Sequence, residues 1–229
     1  MRKLIVVFIV LASVGGGQLQ AQIQNFPGTL NKPMREKDRA STVIGSPYFI
    51  DDYKAGVIIN QDGKEYKVFL KYDTYKEEVE IFNDGTPLLV SKTIYPKFSI
   101  TYIDDKTRKK VEHSFSNEQF IPGFKRYKYS LTLTEGKNIK LLKVFQTYLS
   151  KSDDGGYAGT EKPATFSQKE FYFVVKEGEA PIQIKPNKKS VLKALDSDGT
   201  LKNYIKEKRL RLKSEEELVE LVQYLDKES

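Results

Sequence analysis

A two-residue alternation of apolar and polar side chains recurs along this chain and constrains its fold more than any other feature. Tyr127, Tyr129, Leu131 and Leu133 alternate with Arg126, Lys128, Ser130 and Thr132. Tyr66, Val68, Leu70 and Tyr72 alternate with Lys67 and Lys71, and Phe98, Ile100 and Tyr102 with Ser99 and Thr101. Successive side chains of a strand point to opposite faces, so each segment reads as a strand with one buried face. Asp62-Gly63 and Asn83-Asp84-Gly85 are tight-turn signals between such segments. About nine strands follow one another without an intervening helical pattern, which excludes βαβ units. The expected fold is mainly β (β-rich α+β): an antiparallel meander or partly closed barrel with a small C-terminal helical segment. In this register Tyr129, Leu131 and Leu133 face the core, and Lys128, Ser130 and Thr132 face solvent. A slip of one residue would reverse every face. Leu141, Leu142, Val144 and Phe145 make the Ile139 to Leu149 segment apolar on both sides. It therefore predicts a central strand, or one whose second face is covered by a helix.

From Asn187 the period changes to that of helices. Asn187 caps Lys188 to Leu195, and Asp198-Gly199 opens a helix carrying Leu201, Tyr204 and Ile205. Ser214 caps a third helix, with Glu217 three residues on as the second half of a capping box. In it Leu218, Leu221, Val222 and Leu225 fall at i, i+3, i+4 and i+7, one apolar stripe. Such a stripe must lie on the protein's own sheet or on a partner, because soluble chains avoid exposed apolar patches of that kind. Docking on the chain's own sheet is the favoured expectation, and these four residues are the candidate partner-docking set otherwise.

The start of the chain bears on location. Arg2 and Lys3 precede an apolar run from Leu4 to Val14, then Gly15 to Gly17, and Ala21 stands before Gln22. This is the order of a secretory signal peptide over 1–21, and the run is about half the ~20 residues of a spanning helix. The expectation is export to the periplasm or cell surface with no stable membrane span. Residues 22–46, with Pro27, Gly28 and Pro33, read as an extended arm or linker, 47–186 as the antiparallel β domain, and 187–229 as the C-terminal helices. Without Arg2 and Lys3 the chain keeps 36 basic and 31 acidic residues, a net charge of +5. So mild an excess, spread over the whole length, is not the clustered stripe of a nucleic-acid binder, and no nucleic-acid partner is expected.

Chemistry-bearing patterns are sparse. The chain has no cysteine and a single histidine, His113, which excludes disulfides, thiolate metal sites, cysteine nucleophiles and two-histidine zinc motifs within one chain. His113 shares a strand face with Val111 and Phe115 and reads as a partly buried packing residue. Asp196-Ser197-Asp198-Gly199 begins like a calcium loop, but its glycine is fourth where the loop needs it sixth, so it reads as a cap and turn. Asp51-Asp52 and Asp153-Asp154 read as loop-tip acids. No glycine-rich phosphate loop and no nucleophile elbow occur, so neither cofactor nor metal is expected. Phe124-Lys125-Arg126-Tyr127-Lys128-Tyr129 interleaves cations with aromatics, which could stack on sugars or bases or meet acidic headgroups. Lys125, Arg126 and Lys128 are therefore the candidate anionic-surface contacts. Strand alternation would nevertheless put the rings and the cations on opposite faces.

Gly45-Ser46-Pro47-Tyr48, Tyr72-Asp73-Thr74-Tyr75 through Glu80, and Lys188 to Tyr224 with Leu201–Lys206 at its centre resemble, in spacing, exported β-rich proteins of Gram-negative bacteria that carry no assigned activity. The resemblance implies export and a single architecture, and no site. The function expected is that of a non-enzymatic envelope protein with a docking or accessory role in an outer-membrane or periplasmic assembly. The alternatives are a carrier holding a lipophilic ligand in a curled sheet and, less favoured, a hydrolase working with carboxylates alone. An open apolar lumen would support the carrier; a filled core would support docking.

Overall fold

The computed structural model describes residues 29–30, 43–150, 163–196 and 199–228. The expected signal segment 1–21, most of the 22–46 arm and Asp153-Asp154 lie outside the described residues. One antiparallel sheet dominates, and its spatial order shows two meanders joined side by side. The first comprises β2 (Lys54–Ile59), β3 (Glu65–Asp73), β4 (Glu78–Asn83) and β5 (Thr86–Val90), each paired with the next. The second runs through β6 (Lys97–Ile103), β7 (Lys110–Ser116), β8 (Ser130–Glu135), β9 (Ile139–Leu149), β10 (Phe166–Lys176) and β11 (Ile182–Ile184). The seam is the antiparallel pair β2·β6, and β1 (Thr29–Leu30) pairs with β5 at the outer edge. The sheet is open, with β1 and β11 as its edges.

It curls strongly all the same. Thr74, just past β3, meets Thr147 of β9 hydroxyl to hydroxyl at 2.6 Å, although four strands separate them in the sheet. Gln168 of β10 adds a 3.1 Å donation to the same hydroxyl. Gly56 is needed inside the curl. A Cβ there would stand 2.1 Å from the Ser99 carbonyl oxygen and 2.9 Å from Leu70.

The inner face holds the row Ile58–Phe98–Phe115–Leu131 in direct register. Around it pack Tyr72, Tyr95, Tyr129 and Phe145, all buried. Phe98 and Phe115 stack at 4.7 Å, and Tyr129 meets Phe98 edge-on at 4.9 Å. The chain ahead of β2 closes one side of this core with Phe49 and Ile50. That segment is held by Tyr48 and Tyr53, whose hydroxyls donate to buried Glu80 at 2.9 and 3.1 Å and whose rings flank the Lys71 ammonium.

The same face of β9 to β11 is covered by three helices, α1 (Lys188–Leu195), α2 (Thr200–Glu207) and α3 (Glu215–Glu228). The expected caps are present: Asn187 Oδ1 accepts from Ser190 N–H at 2.8 Å, and Ser214 Oγ from Glu217 N–H at 3.3 Å. The Glu217 carboxylate itself accepts from Arg211 and Lys213, each at 2.8 Å. Leu218, Leu221 and Val222 are fully buried against the sheet, and Leu225 packs at their margin. Each such burial contributes ~1.5–3 kcal/mol. The stripe is thus taken up internally, as the favoured expectation had it, which removes Leu218, Leu221, Val222 and Leu225 as a free partner-docking face. Asp226 fastens the far end of α3 by accepting the N–H groups of Lys137, Asn138 and Ile139 at 3.0, 2.7 and 2.9 Å.

The second face of β9 and β10 is covered as well, by the β7–β8 connection and not by a helix. Ile121 and Phe124 seat on Leu142, Val144, Phe173 and Val175. This explains the doubly apolar β9.

Candidate functional site

The β7–β8 connection also corrects the expected faces of its own residues. Its backbone runs in turns until β8 begins at Ser130, so the alternation does not extend back to Phe124. Tyr127 takes a left-handed φ of +62°, uncommon for a bulky residue, which reverses the chain locally. Lys128 consequently points inward and is 4% exposed, not solvated as expected, while Tyr129 is 1% exposed. Leu131 is buried as expected. Ser130, expected in solvent, is instead buried and donates to the Ser116 carbonyl at 3.2 Å, and Thr132 and Leu133, expected in solvent and in the core, are both half-buried where a register shift interrupts β8.

Phe124, Lys125, Arg126, Tyr127 and Lys128, expected on two faces, instead line one cleft of about 350 Å³. Tyr75, Lys76, Glu77, Lys92 and Gln146 complete its walls. Glu77, like Tyr127, has a left-handed φ, +63°. Two non-glycine residues in this sparsely populated region flank the same cleft, a form of strain that gathers at working sites. The floor is a closed polar network. Glu77 Oε1 accepts from Lys128 Nζ, Glu77 Oε2 accepts from Tyr72 Oη at 2.8 Å, and Lys128 Nζ also donates to the Phe145 carbonyl. Burial lifts the Glu77 carboxyl above its usual range while Lys128 and Tyr72 pull it back, and burial lowers Lys128 against the opposing pull of Glu77. Lys128 is therefore an internal counter-ion, not an exposed contact for an anionic surface.

Lys125 and Arg126, the other two candidates, are exposed on the rim. Lys92, reached from the loop after β5, is half-buried beside them. Burial pushes its ammonium down; Glu77 opposes this, and Lys128 and Lys125 add repulsion. Among the described residues none of Lys92, Lys125 and Arg126 makes an ion pair with a carboxylate. A second cleft, of about 610 Å³, lies across the ridge of Lys92, Arg126 and Tyr127 and is lined also by Gln61, Thr93, Pro96, Asn117, Phe120 and Glu118, the last paired with Lys97 at 2.9 Å. Lys92, Glu77 and Tyr75 carried no sequence signal for this place. They stand 34 or more residues before Arg126 and reach it through the curl.

Other expected features are placed elsewhere. A hollow of about 780 Å³ is an open groove on the outer face of β2, β6, β7 and β8, lined by Ser99, Ser114, Ser116, Ser130 and Thr132 among others. His113 is half-buried, 3.0 Å from the Tyr102 hydroxyl and edge-on to Phe49, and burial lowers its pKa. Asp51 and Asp52 line a separate cleft with Asp104 and Asp105. Asp196 Oδ1 accepts from Leu201 N–H at 3.1 Å, a cap role, while Ser197 and Asp198 lie outside the described residues. Among the described residues no group of three metal-ligating side chains converges, and no helix is long and apolar enough to cross a membrane. No family model matches the chain, and neither a curated protein nor a solved structure matches it.

Proposed function

We propose that the chain is an exported, non-enzymatic envelope protein with a docking or accessory role, and that it meets its partner at the cationic cleft. One observation carries this reading: Lys92, Lys125 and Arg126 converge on an open cleft, none of them in an ion pair with a carboxylate among the described residues, on walls set by two left-handed residues. Cations that lie over rings and not in ion pairs, as Arg126 does over Tyr127 and Lys92 over Tyr129, keep their charge open in a concavity and attract an anionic partner. The filled aromatic core inside the curl supports docking over carriage of a lipophilic ligand, because a carrier needs apolar hollow space where Phe98, Phe115 and Tyr129 stand. The outer groove of about 780 Å³ and the cleft beside Lys92 are lined by hydroxyl, amide and charged groups as well as apolar ones.

The test is fractionation and affinity capture from the envelope of the source cell. The wild-type chain is expected outside the cytoplasm, with a partner that the Lys125→Glu/Arg126→Glu variant loses while its melting temperature stays within a few degrees. A chain retained in the cytoplasm overturns the export, and an undiminished partner set in the variant overturns the cleft.

A further inference from the structure

The cleft of about 350 Å³ is larger than a lone inorganic anion requires, and the second, of about 610 Å³, adjoins it across Lys92, Arg126 and Tyr127. Their combined lining includes two carboxylates, Glu77 and Glu118, each paired with a lysine, Lys128 and Lys97, and three further chemical kinds stand beside them. Cations come from Lys92, Lys125 and Arg126. Exposed rings stand at the rims: Phe120 at 60% exposure, Tyr75 at 44% and Tyr127 at 37%. Amides and a hydroxyl come from Gln61, Gln146 and Thr93, while buried Asn117 braces the rim by donating to the Lys92 carbonyl at 3.0 Å.

We infer that the two clefts form one site for an acidic saccharide, a run of sugar units bearing carboxylates. The inference rests on the docking reading above and names the chemistry of the partner. Each class of side chain then has a counterpart in the ligand. The planar guanidinium of Arg126 pairs with a carboxylate through two parallel hydrogen bonds, and Lys92 and Lys125 add point charges on either side. Sugar rings present C–H faces that lie against exposed aromatics, and their hydroxyls exchange hydrogen bonds with amides and hydroxyls. A smaller anion would use the cations and leave the rings idle. A lipophilic ligand would use the rings and leave the cations desolvated without partners. The seating of Ile121 and Phe124 on β9 and β10 holds the connection in place, so the rim is carried by a packed scaffold and not by a loose loop.

The test is titration of the full-length purified chain, followed by calorimetry and by NMR, with four probes. These are an oligogalacturonate, its methyl-esterified neutral counterpart, polyglutamate of similar charge, and inorganic phosphate. Binding of the oligogalacturonate is expected, with weak or no binding of the other three. Arg126→Ala is expected to weaken it about tenfold to a hundredfold, the loss of one charge-assisted contact. Tyr127→Asn, which suits the left-handed φ but removes the ring together with its 4.9 Å contact to the Arg126 guanidinium, should weaken it about fivefold or more. Unchanged melting temperatures in both variants separate these losses from unfolding. Equal binding of polyglutamate or phosphate, indifference to Tyr127→Asn, or no binding of the oligogalacturonate each overturns the saccharide assignment. Capture of an envelope protein that still depends on Arg126 would in that case leave the docking reading standing, and its loss as well would remove both.

Discussion

The curled half and the helix-covered half of the same sheet are filled by different chemistry. Six of the fourteen buried residues in the curl are aromatic, Tyr72, Tyr95, Phe98, Phe115, Tyr129 and Phe145. Under the helices only Tyr172 is aromatic among fourteen, and the rest are aliphatic. A helix laid on a sheet leaves a gap that Leu, Ile and Val close well. A sheet folded over itself leaves a wider space that needs rings, and rings with hydroxyls bring polar atoms inside. Tyr129 Oη donates to the Tyr95 carbonyl at 2.8 Å, and Tyr72 Oη to Glu77. The difference reaches function: the polar floor of the cationic cleft is the outer layer of the aromatic core.

The largest expected effect probes that floor. Lys128→Ala leaves Glu77 buried without its cation and should cost about 3–5 kcal/mol in urea unfolding. Changing both Glu77 and Lys128 to Met should cost much less, and an equal cost for the two would mean that the pair is solvated and the comparison misdrawn. Next come the two fillings themselves. Phe115→Ala should cost about 3–5 kcal/mol and Leu221→Ala about 2–5 kcal/mol. Both should appear as a single cooperative transition, because β9 places Leu141 in one core and Phe145 in the other. Two separate transitions in calorimetry would split the halves into independent units.

Gly56→Ala tests the curl directly, since the new methyl meets the Ser99 carbonyl and the backbone must move. A cost of about 1–3 kcal/mol is expected, with chemical-shift changes confined to β2, β3 and β6 and absent from the helices.

The smallest effect is acid titration, where the halves should respond with opposite sign. Asp226 and Glu217 accept backbone N–H groups, which hold their carboxyls below the usual range. Their contribution is complete above the ordinary carboxylate pKa and is lost as pH falls below about 4 through the lowered values. Glu77 and Asp73 are raised by burial, so protonation on acidification favours the folded curl. Hydrogen exchange between about pH 5 and about pH 3, one unit either side of the carboxylate range, should therefore loosen the helices and the Lys137–Ile139 turn before the aromatic core. Asp226→Asn should flatten that response, and loosening of the aromatic core first would refute the assignment.

Much of the architecture was legible because it is local. Asn187 and Ser214 mark helix starts by their side-chain chemistry, and the α3 stripe announces its buried face by spacing alone. The inward row Phe98, Phe115 and Leu131 follows from the period of two. The alternation failed at Lys128, where Tyr127 leaves the β region and the period no longer applies. The site was legible only in part: Lys125 and Arg126 stood out as cations among rings, but their grouping with Lys92 and Tyr75 did not, because those residues belong to turns distant in sequence.

Local propensity and periodicity by themselves determined an antiparallel sheet, its turns, its capped helices and the exclusion of thiol chemistry, since each depends on neighbours within a few residues. Only the tertiary structure decided that the sheet curls until Thr74 meets Thr147, that the β7–β8 connection covers β9, and that a lysine from an apparent solvent face becomes an internal counter-ion. Those outcomes depend on how large side chains fill space between segments far apart in the chain, and no window of sequence contains both sides of such a contact.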